Sequence, residues 1–469
     1  MIDKMSSIDL DVLYEVLFSP TALIKTYEDR HRDSNSRGLD RLNGSAFGST
    51  SIAQLQIASR KCLNGSYKFT PYLESLKLKD RSSPPRMISI PTVRDRIILT
   101  QLNRFLRFAF KEESQLRLAS EYVREVSDEL RVLDPVTNWT AGLDVRRFYD
   151  TINRDRIGKL MRARLKDSAA CNLILRAVAT PTVPKNYKRR DIAKYRTETG
   201  VPQGLSISNS LAAIYMHEID TPMQGLGVKY FRFVDDVLLV GSKEDTAKAA
   251  KSFAARARAR GLSIHNIGSE KGHHLPLSSQ FSYLGYEFRM PLVTVRESTI
   301  ERLLLALAAK ITDFKYNKAR TLARKPYLTE KTLRDAFLDE LDERISGAIS
   351  GNRRYGWIAY FSQISDESIL HKIDSAIRKM LLRSNELKTH VPFVKRFARS
   401  FFEIRFKPEA GYVRNYDRFK TVSQKLDFLV FRGEIGPAVA LTEEQINERF
   451  DAYRDRQLSE MLADEAVIY

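Results

Sequence analysis

Cysteine is almost missing from this chain. Two are present among 469 residues, Cys62 and Cys171, and no CxxC pair occurs. That excludes a zinc ribbon, a cysteine-rich nuclease module and a disulfide framework, and it fits a reducing, intracellular compartment. Long apolar runs are missing as well. No stretch approaches the roughly 18 residues that a membrane span requires. The opening segment MIDKMSSIDLDVLYEVL carries acids and no uninterrupted apolar core, so a secretory signal is not expected. Cytoplasmic localisation is the expectation. No internal repeat and no long low-complexity tract stands out.

What is abundant is positive charge. Lys and Arg number 77 against 58 Asp and Glu, a net charge of +19. An excess of that size makes a polyanion the first partner to consider. Apolar residues make up 43% and charged residues 29%, enough for a packed core. The length allows two to four domains or subdomains. The charge is uneven: residues 441–469 hold eight acids against three arginines. That tail reads as a helix whose apolar side is Ile446, Phe450 and Tyr453, with its acids on a solvated face. Residues 31–50 and 181–199 read as loops. The second carries Lys185, Lys188, Arg189, Arg190, Lys194 and Arg196, a set that can track phosphates or be an ordinary exposed loop.

The centre alternates strands and helices. TAGLDV (140–145) reads as a short buried strand and Arg154 to Leu165 as a basic helix. Ser208 to Ile219 reads as a helix with an apolar face. In residues 229–240 two apolar runs, YFRFV and VLLV, meet at Asp235-Asp236 as a hairpin. Ser242 opens a helix with Asp245 completing a capping box, and Gly261 closes it. Strands are expected near 262–266 and at 281–288. After about residue 295 the chain is expected to be mostly helical.

Asp235-Asp236 is the sharpest chemical feature. Two adjacent carboxylates at the turn of an apolar hairpin repel and pay desolvation, and a divalent cation removes both penalties. Alone, the dipeptide is usually a solvated turn. Asp144, at the end of another apolar strand, adds a third carboxylate. Such a set can hold two Mg²⁺ ions that activate a 3′-hydroxyl and stabilise leaving pyrophosphate.

These segments resemble, in order, the motifs of reverse transcriptases. GLDVRRFYDTI (142–152) resembles motif A, GVPQGLSISNSLAAIYM (200–216) motif B, and FRFVDDVLLVG (231–241) motif C, with FVDD in place of YxDD. Gly261 through Lys271 looks like motif D and FSYLGYEF (281–288) like motif E. RMISIPTVRDRI (86–97) is similar to the fingers segment of bacterial reverse transcriptases, and LNGSYKFTPY (63–72) to the element before it. The resemblance spans roughly residues 30–290.

It implies an α+β right hand: a palm of antiparallel sheet plus helices, fingers, and a helical thumb and C-terminal region. The expected division is 1–94 for the N-terminal extension and fingers, and 95–291 for the palm with a fingers insertion at about 160–199. Residues 292–400 would be the thumb and 401–469 a C-terminal helical region. Asp144, Asp235 and Asp236 would be metal ligands, joined by the carbonyl of Val145, with Asp236 the more replaceable. Tyr149 falls at the steric gate that excludes a ribose 2′-hydroxyl. Gln203 would support the incoming nucleotide, and Gly204 would let backbone approach it. Arg86 would grip the triphosphate, with Lys79 or Arg81 assisting. Lys271 would protonate departing pyrophosphate. His265, His273 and His274 fit no zinc spacing and read as loop or template-side residues.

The chain departs from the family pattern at Ser208-Asn209, where motif B usually reads S-P. The S-N form resembles the abortive-infection, defence-associated branch of bacterial reverse transcriptases. Tyr355, Trp357, Tyr360 and Phe361 read as core or as a surface stacking on a template–primer duplex. The resemblance implies an RNA-directed DNA polymerase with Mg²⁺, an RNA template, dNTPs and a DNA product. The expected setting is antiphage defence with a noncoding RNA. Two alternatives stay open: untemplated or protein-primed DNA synthesis, and an RNA-binding maturase-like or scaffold protein. A membrane partner is not expected, and oligomeric state is not readable.

Overall fold

The computed structural model describes the chain except residues 1–8, 33, 78–84, 115–118, 270, 408, 438 and 467–469. Lys79 and Arg81 therefore lie outside the described residues. The chain forms two compact units. The first is Met1–Arg117 with Thr137–Pro276, and the second is Leu118–Val136 with Leu277–Tyr469.

Two sheets organise the first unit. Strands β1 (Tyr72–Lys77) and β2 (Arg86–Ile90) pair antiparallel. The main sheet adds β3 (Trp139–Asp144) in the chain order, while the two-residue β4 (Thr182–Val183) joins β1 in parallel. β5 (Lys229–Phe233), β6 (Asp236–Gly241) and β7 (His273–Pro276) complete the main sheet in the order β5-β6-β3-β7. The run VLLV of β6 is buried on both faces, which is why it lacks the polar alternation of a half-exposed strand. The helix Lys243–Ala259 packs on β3 and β6. Its N-terminus is capped as expected, with Ser242 Oγ accepting from the Asp245 amide at 3.1 Å. The return contact differs from a capping box: Ser242 Oγ donates to the Asp245 carboxylate at 2.8 Å.

The helices Arg154–Leu165 and Ser208–Gln224 also form, the second longer than the sequence suggested. The strand expected near 262–266 does not form. Only one isolated bridge, Val145 with Ile264, remains there, because the segment runs off Gly261 (φ +79°) directly into the loop that leads to β7.

The second unit carries β8 (Phe281–Tyr283), β9 (Tyr286–Arg289) and β10 (Leu292–Val295) as one antiparallel sheet. The single strand expected over 281–288 is thus two, folded back at Leu284-Gly285, both with positive φ. Helices Glu297–Arg324, Glu330–Ser346 and Ser368–Leu382 follow. Short strands β11 (Ala348–Ser350), β12 (Arg353–Tyr355) and β13 (Arg414–Asn415) interrupt them. The helix Glu443–Ala466 forms as expected and buries Ile446, Phe450 and Tyr453. A fully buried Arg432 pairs with Asp339 at 2.7 Å and with the buried Glu343, and Tyr416 donates to Glu343. Burying a charge is costly unless it is paired and hydrogen-bonded; here Nη2 of Arg432 meets both carboxylates, while its Nε and Nη1 are buried without a hydrogen-bond partner.

Candidate active site

The site is built on one end of the main sheet, within the first unit. Asp144 is the last residue of β3 and Asp236 the first of β6, and the two are register partners. Partners on adjacent strands project to the same face of a sheet. The β5–β6 hairpin turns through Val234 and Asp235 alone, since Phe233 pairs with Asp236. Asp235 thus sits on the turn, and its carbonyl accepts from the Val145 amide at 3.3 Å. The residues after β3 and before β6 are tied together by that bond.

Val234 has φ +55°. A β-branched residue in the left-handed region is uncommon and strained, and strain of this kind clusters at functional sites. The turn is braced from the side. Arg232 donates to the Val234 carbonyl at 2.9 Å and, through Nε, to Asp220 Oδ1 of the Ser208–Gln224 helix at 2.6 Å. Tyr230 donates to the same Asp220 oxygen at 2.6 Å.

The strand of motif A has its own close approach. A Cβ on Gly142 would lie 2.2 Å from the ring of His273 on the neighbouring β7, so only glycine leaves room for that imidazole. His273 and His274 are accordingly strand residues, so of the two readings, loop or template side, the loop does not hold for them. His274 Nε2 meets Thr246 Oγ1 at 2.9 Å, linking β7 to the Lys243–Ala259 helix.

His265 lies in a loop, as the sequence suggests, and here the structure adds a site residue. Its amide donates to the Asp144 carbonyl at 2.9 Å, and its Nε2 lies 3.4 Å from Asp144 Oδ1. Burial lowers the His265 pKa, and the charges of Lys271 and Arg146 lower it further. The charge of Lys271 thus reaches His265, and Lys271 itself is exposed. The histidine's sequence signal was weak, because nothing in the order of residues tells that 265 folds back along 144.

Tyr149 follows β3 by one short turn. Its hydroxyl donates to Asn209 Oδ1 at 2.6 Å. Burial pushes its pKa well up, the Asp235 carboxylate adds to this, and Arg86 and Arg232 oppose it. Asp235, Arg86 and Tyr149 thus share one electrostatic neighbourhood. Gln203 Nε2 is 3.5 Å from Asp150 Oδ1, and its carbonyl accepts from the Ser89 amide at 2.7 Å. Gly204 has φ +98°, and a Cβ there would lie 2.8 Å from Ile88 Cγ2. The close approach seen at Gly204 is to β2.

Three carboxylates are hard oxygen donors suited to a divalent cation such as Mg²⁺. Among the described residues, no three His, Cys, Asp or Glu side chains converge as a ready metal cage. The donor chemistry fits a cation, and the acids are gathered on one sheet end without being closed around a point.

Residues 78–288 match the model of the reverse transcriptase (RNA-dependent DNA polymerase) family. The matched segment, a little under half of the chain, is similar to that family. It contains every acid of the site, and motifs A to E fall inside it. Relatives are distant. Protein YkfC of Escherichia coli is 23% identical over 202 residues, covering 40% of this chain and 50% of that protein. The putative COX1/OXI3 intron 2 protein of Saccharomyces cerevisiae is 22% identical over 198 residues, 40% of this chain and 21% of that one. The chain spans half or less of the curated relatives it matches. Among solved structures, telomerase from Candida albicans in complex with a telomeric RNA fragment aligns with a TM-score of 0.42 and 10% identity, over 75% of this chain and 69% of that one.

In the second unit, Trp357, Tyr360 and Phe361 are core residues, so the core reading of that aromatic group holds for them, while Tyr355 is half-buried. Exposed rings of this unit include Tyr316, Phe393, Phe402 and Phe406. Arg405 lies over Phe406 and Lys407 over Phe402. The six cations of the 185–196 segment are all exposed.

Proposed function

We propose that the protein is an RNA-directed DNA polymerase. The observation that carries this reading is the pairing of Asp144 with Asp236 in β-sheet register, with Asp235 on the adjoining two-residue turn, inside a segment similar to the reverse transcriptase family. Asp144, Asp235 and Asp236, with the Val145 carbonyl, would hold Mg²⁺. Bound there, the metal supplies charge neutralisation for phosphoryl transfer and lowers the pKa of an attacking 3′-hydroxyl. The protein's own part is positioning. Arg86 offers a planar fork to the triphosphate, and Gln203 supports the nucleotide beside it. The Tyr149 ring would stack under the sugar and exclude a 2′-hydroxyl. His265 lies against Asp144 as part of a polar shell, and Lys271 would protonate the departing pyrophosphate.

The finer reading is a defence-associated enzyme with an RNA template, and the support for it is the S-N form of motif B. The basic balance of the chain supports a nucleic-acid partner. The test is DNA synthesis by purified protein with the nucleic acid it retains, Mg²⁺ and labelled dNTPs. We expect product from the wild type and none from the Asp235→Ala, Asp236→Ala double variant. Equal synthesis by both would defeat the assignment of the acids. Sequencing the product separates a templated copy from an untemplated tract, and phage challenge of cells carrying each form tests the defence role.

A further inference from the structure

The polymerase reading leaves the motif B departure unexplained. Asn209 is the second residue of the Ser208–Gln224 helix and is exposed. An exposed asparagine in a first helical turn needs no special reason, except that this one accepts from Tyr149 at 2.6 Å. Proline, the family's usual residue here, has no side-chain acceptor and could not make the bond.

Hydrogen bonds hold the backbone on both sides of the pair. The Tyr149 carbonyl accepts from the Val201 amide at 2.7 Å, and the Asp150 amide donates to the Arg147 carbonyl at 2.9 Å. On the other side, Ser208 Oγ donates to the Pro202 carbonyl at 2.6 Å. Phe148 packs against the Tyr149 ring with centroids 5.4 Å apart. With both backbones held, the hydroxyl–amide bond ties the far end of the ring to the Ser208–Gln224 helix. A ring that screens a sugar by shape discriminates only as well as its orientation is fixed.

We infer that Asn209 is a positioning residue for sugar selection: it latches the Tyr149 ring, so that the preference for deoxyribonucleotides over ribonucleotides depends on the pair. This rests on the polymerase reading above. The family pattern achieves the same screening without a side-chain tie from this position; here the S-N dipeptide supplies one.

The experiment compares full-length wild type with Asn209→Ala, Tyr149→Phe and the double variant. The readout is the ratio of kcat/KM for dGTP to that for GTP. Each single variant should lower the ratio about three- to tenfold, the scale of one neutral hydrogen bond. The double variant should lower it no further than the singles, because both remove the same bond. Thermal melting of Asn209→Ala should match the wild type, since the residue is exposed. An unchanged ratio in either single variant overturns the latch. So does a loss in Asn209→Ala alone, which would mean that the amide reads the sugar directly. Additive losses overturn it too. Absence of any DNA synthesis by the wild type would defeat the polymerase reading instead, and it appears before any variant is compared. The latch then has a separate check: a crystal structure with Tyr149 Oη more than 3.5 Å from Asn209 overturns it without turnover.

Discussion

Gly142 and Val234 break local rules within a few residues of the acids, and for opposite reasons. Gly142 sits in a strand, where glycine weakens pairing, because the His273 ring occupies the space of its missing Cβ. Gly142→Ala should destabilise the protein by about 1–3 kcal/mol, as forced overpacking does. The guanidinium midpoint measures this, and adding His273→Ala should recover part of the loss. A neutral Gly142→Ala would mean that the imidazole moves aside freely. Neither fact was legible in the sequence. Motif A displays a glycine without saying what lies over it, and the partner ring comes from 131 positions further on in the order of the chain. His265 escaped for the same reason. Its neighbour Asp144 is set by the turn after Gly261, which no local periodicity encodes.

At the scale of elements, the hairpin is held by a brace as much as by its ladder. Arg232 and Asp220 have side chains only 13% exposed each. Arg232→Ala would leave Asp220 without its guanidinium in a poorly solvated place, at a cost of about 3 kcal/mol. It would also free the Val234 carbonyl, so DNA synthesis should fall by more than the folded fraction does. Urea titration beside the synthesis assay separates the two, and a loss confined to stability would exclude a role in holding the turn. The helices of the first unit add a pH response. Burial lowers the His31 pKa to about 4, and the Arg96 and Arg30 charges contribute. The unfolded imidazole titrates near 6.5, so the unfolded state binds the proton first as pH falls. Stability should decline from about pH 6.5 to about 4 and then stop declining on this account. His31→Gln should melt with a smaller shift between pH 7.5 and 5 than the wild type; an equal shift would place the acid sensitivity elsewhere. Elements with strong periodicity or clear caps, such as Arg154–Leu165 and the Ser242-capped helix, were legible. The 281–288 hairpin was not, because a turn with positive φ at Leu284 carries no leucine-specific signal.

For the whole molecule, a net charge of +19 and the exposed cations of 185–196 predict nucleic-acid binding that weakens steeply with salt. Neutralising Lys185, Lys188, Arg189 and Arg190 to Ala should reduce the slope of log K against log salt by at least about one, given about 0.7–0.9 per phosphate contact. An unchanged slope would make this segment an ordinary exposed loop.

The interleaving of the two units has a consequence in time. The helix Ala119–Arg131 belongs to the second unit, and its Val123, Val126 and Leu130 are fully buried. The rest of that unit begins only at Leu277. During synthesis at about 5–20 residues per second, the helix leaves the ribosome on the order of ten seconds before the chain it packs with exists. Through that interval its apolar side has no native cover, while the first unit is still being synthesised. A chain released early, after Pro276, would keep that uncovered side permanently. Translational pausing between 131 and 277 is therefore where this protein is most exposed to chaperones and to aggregation.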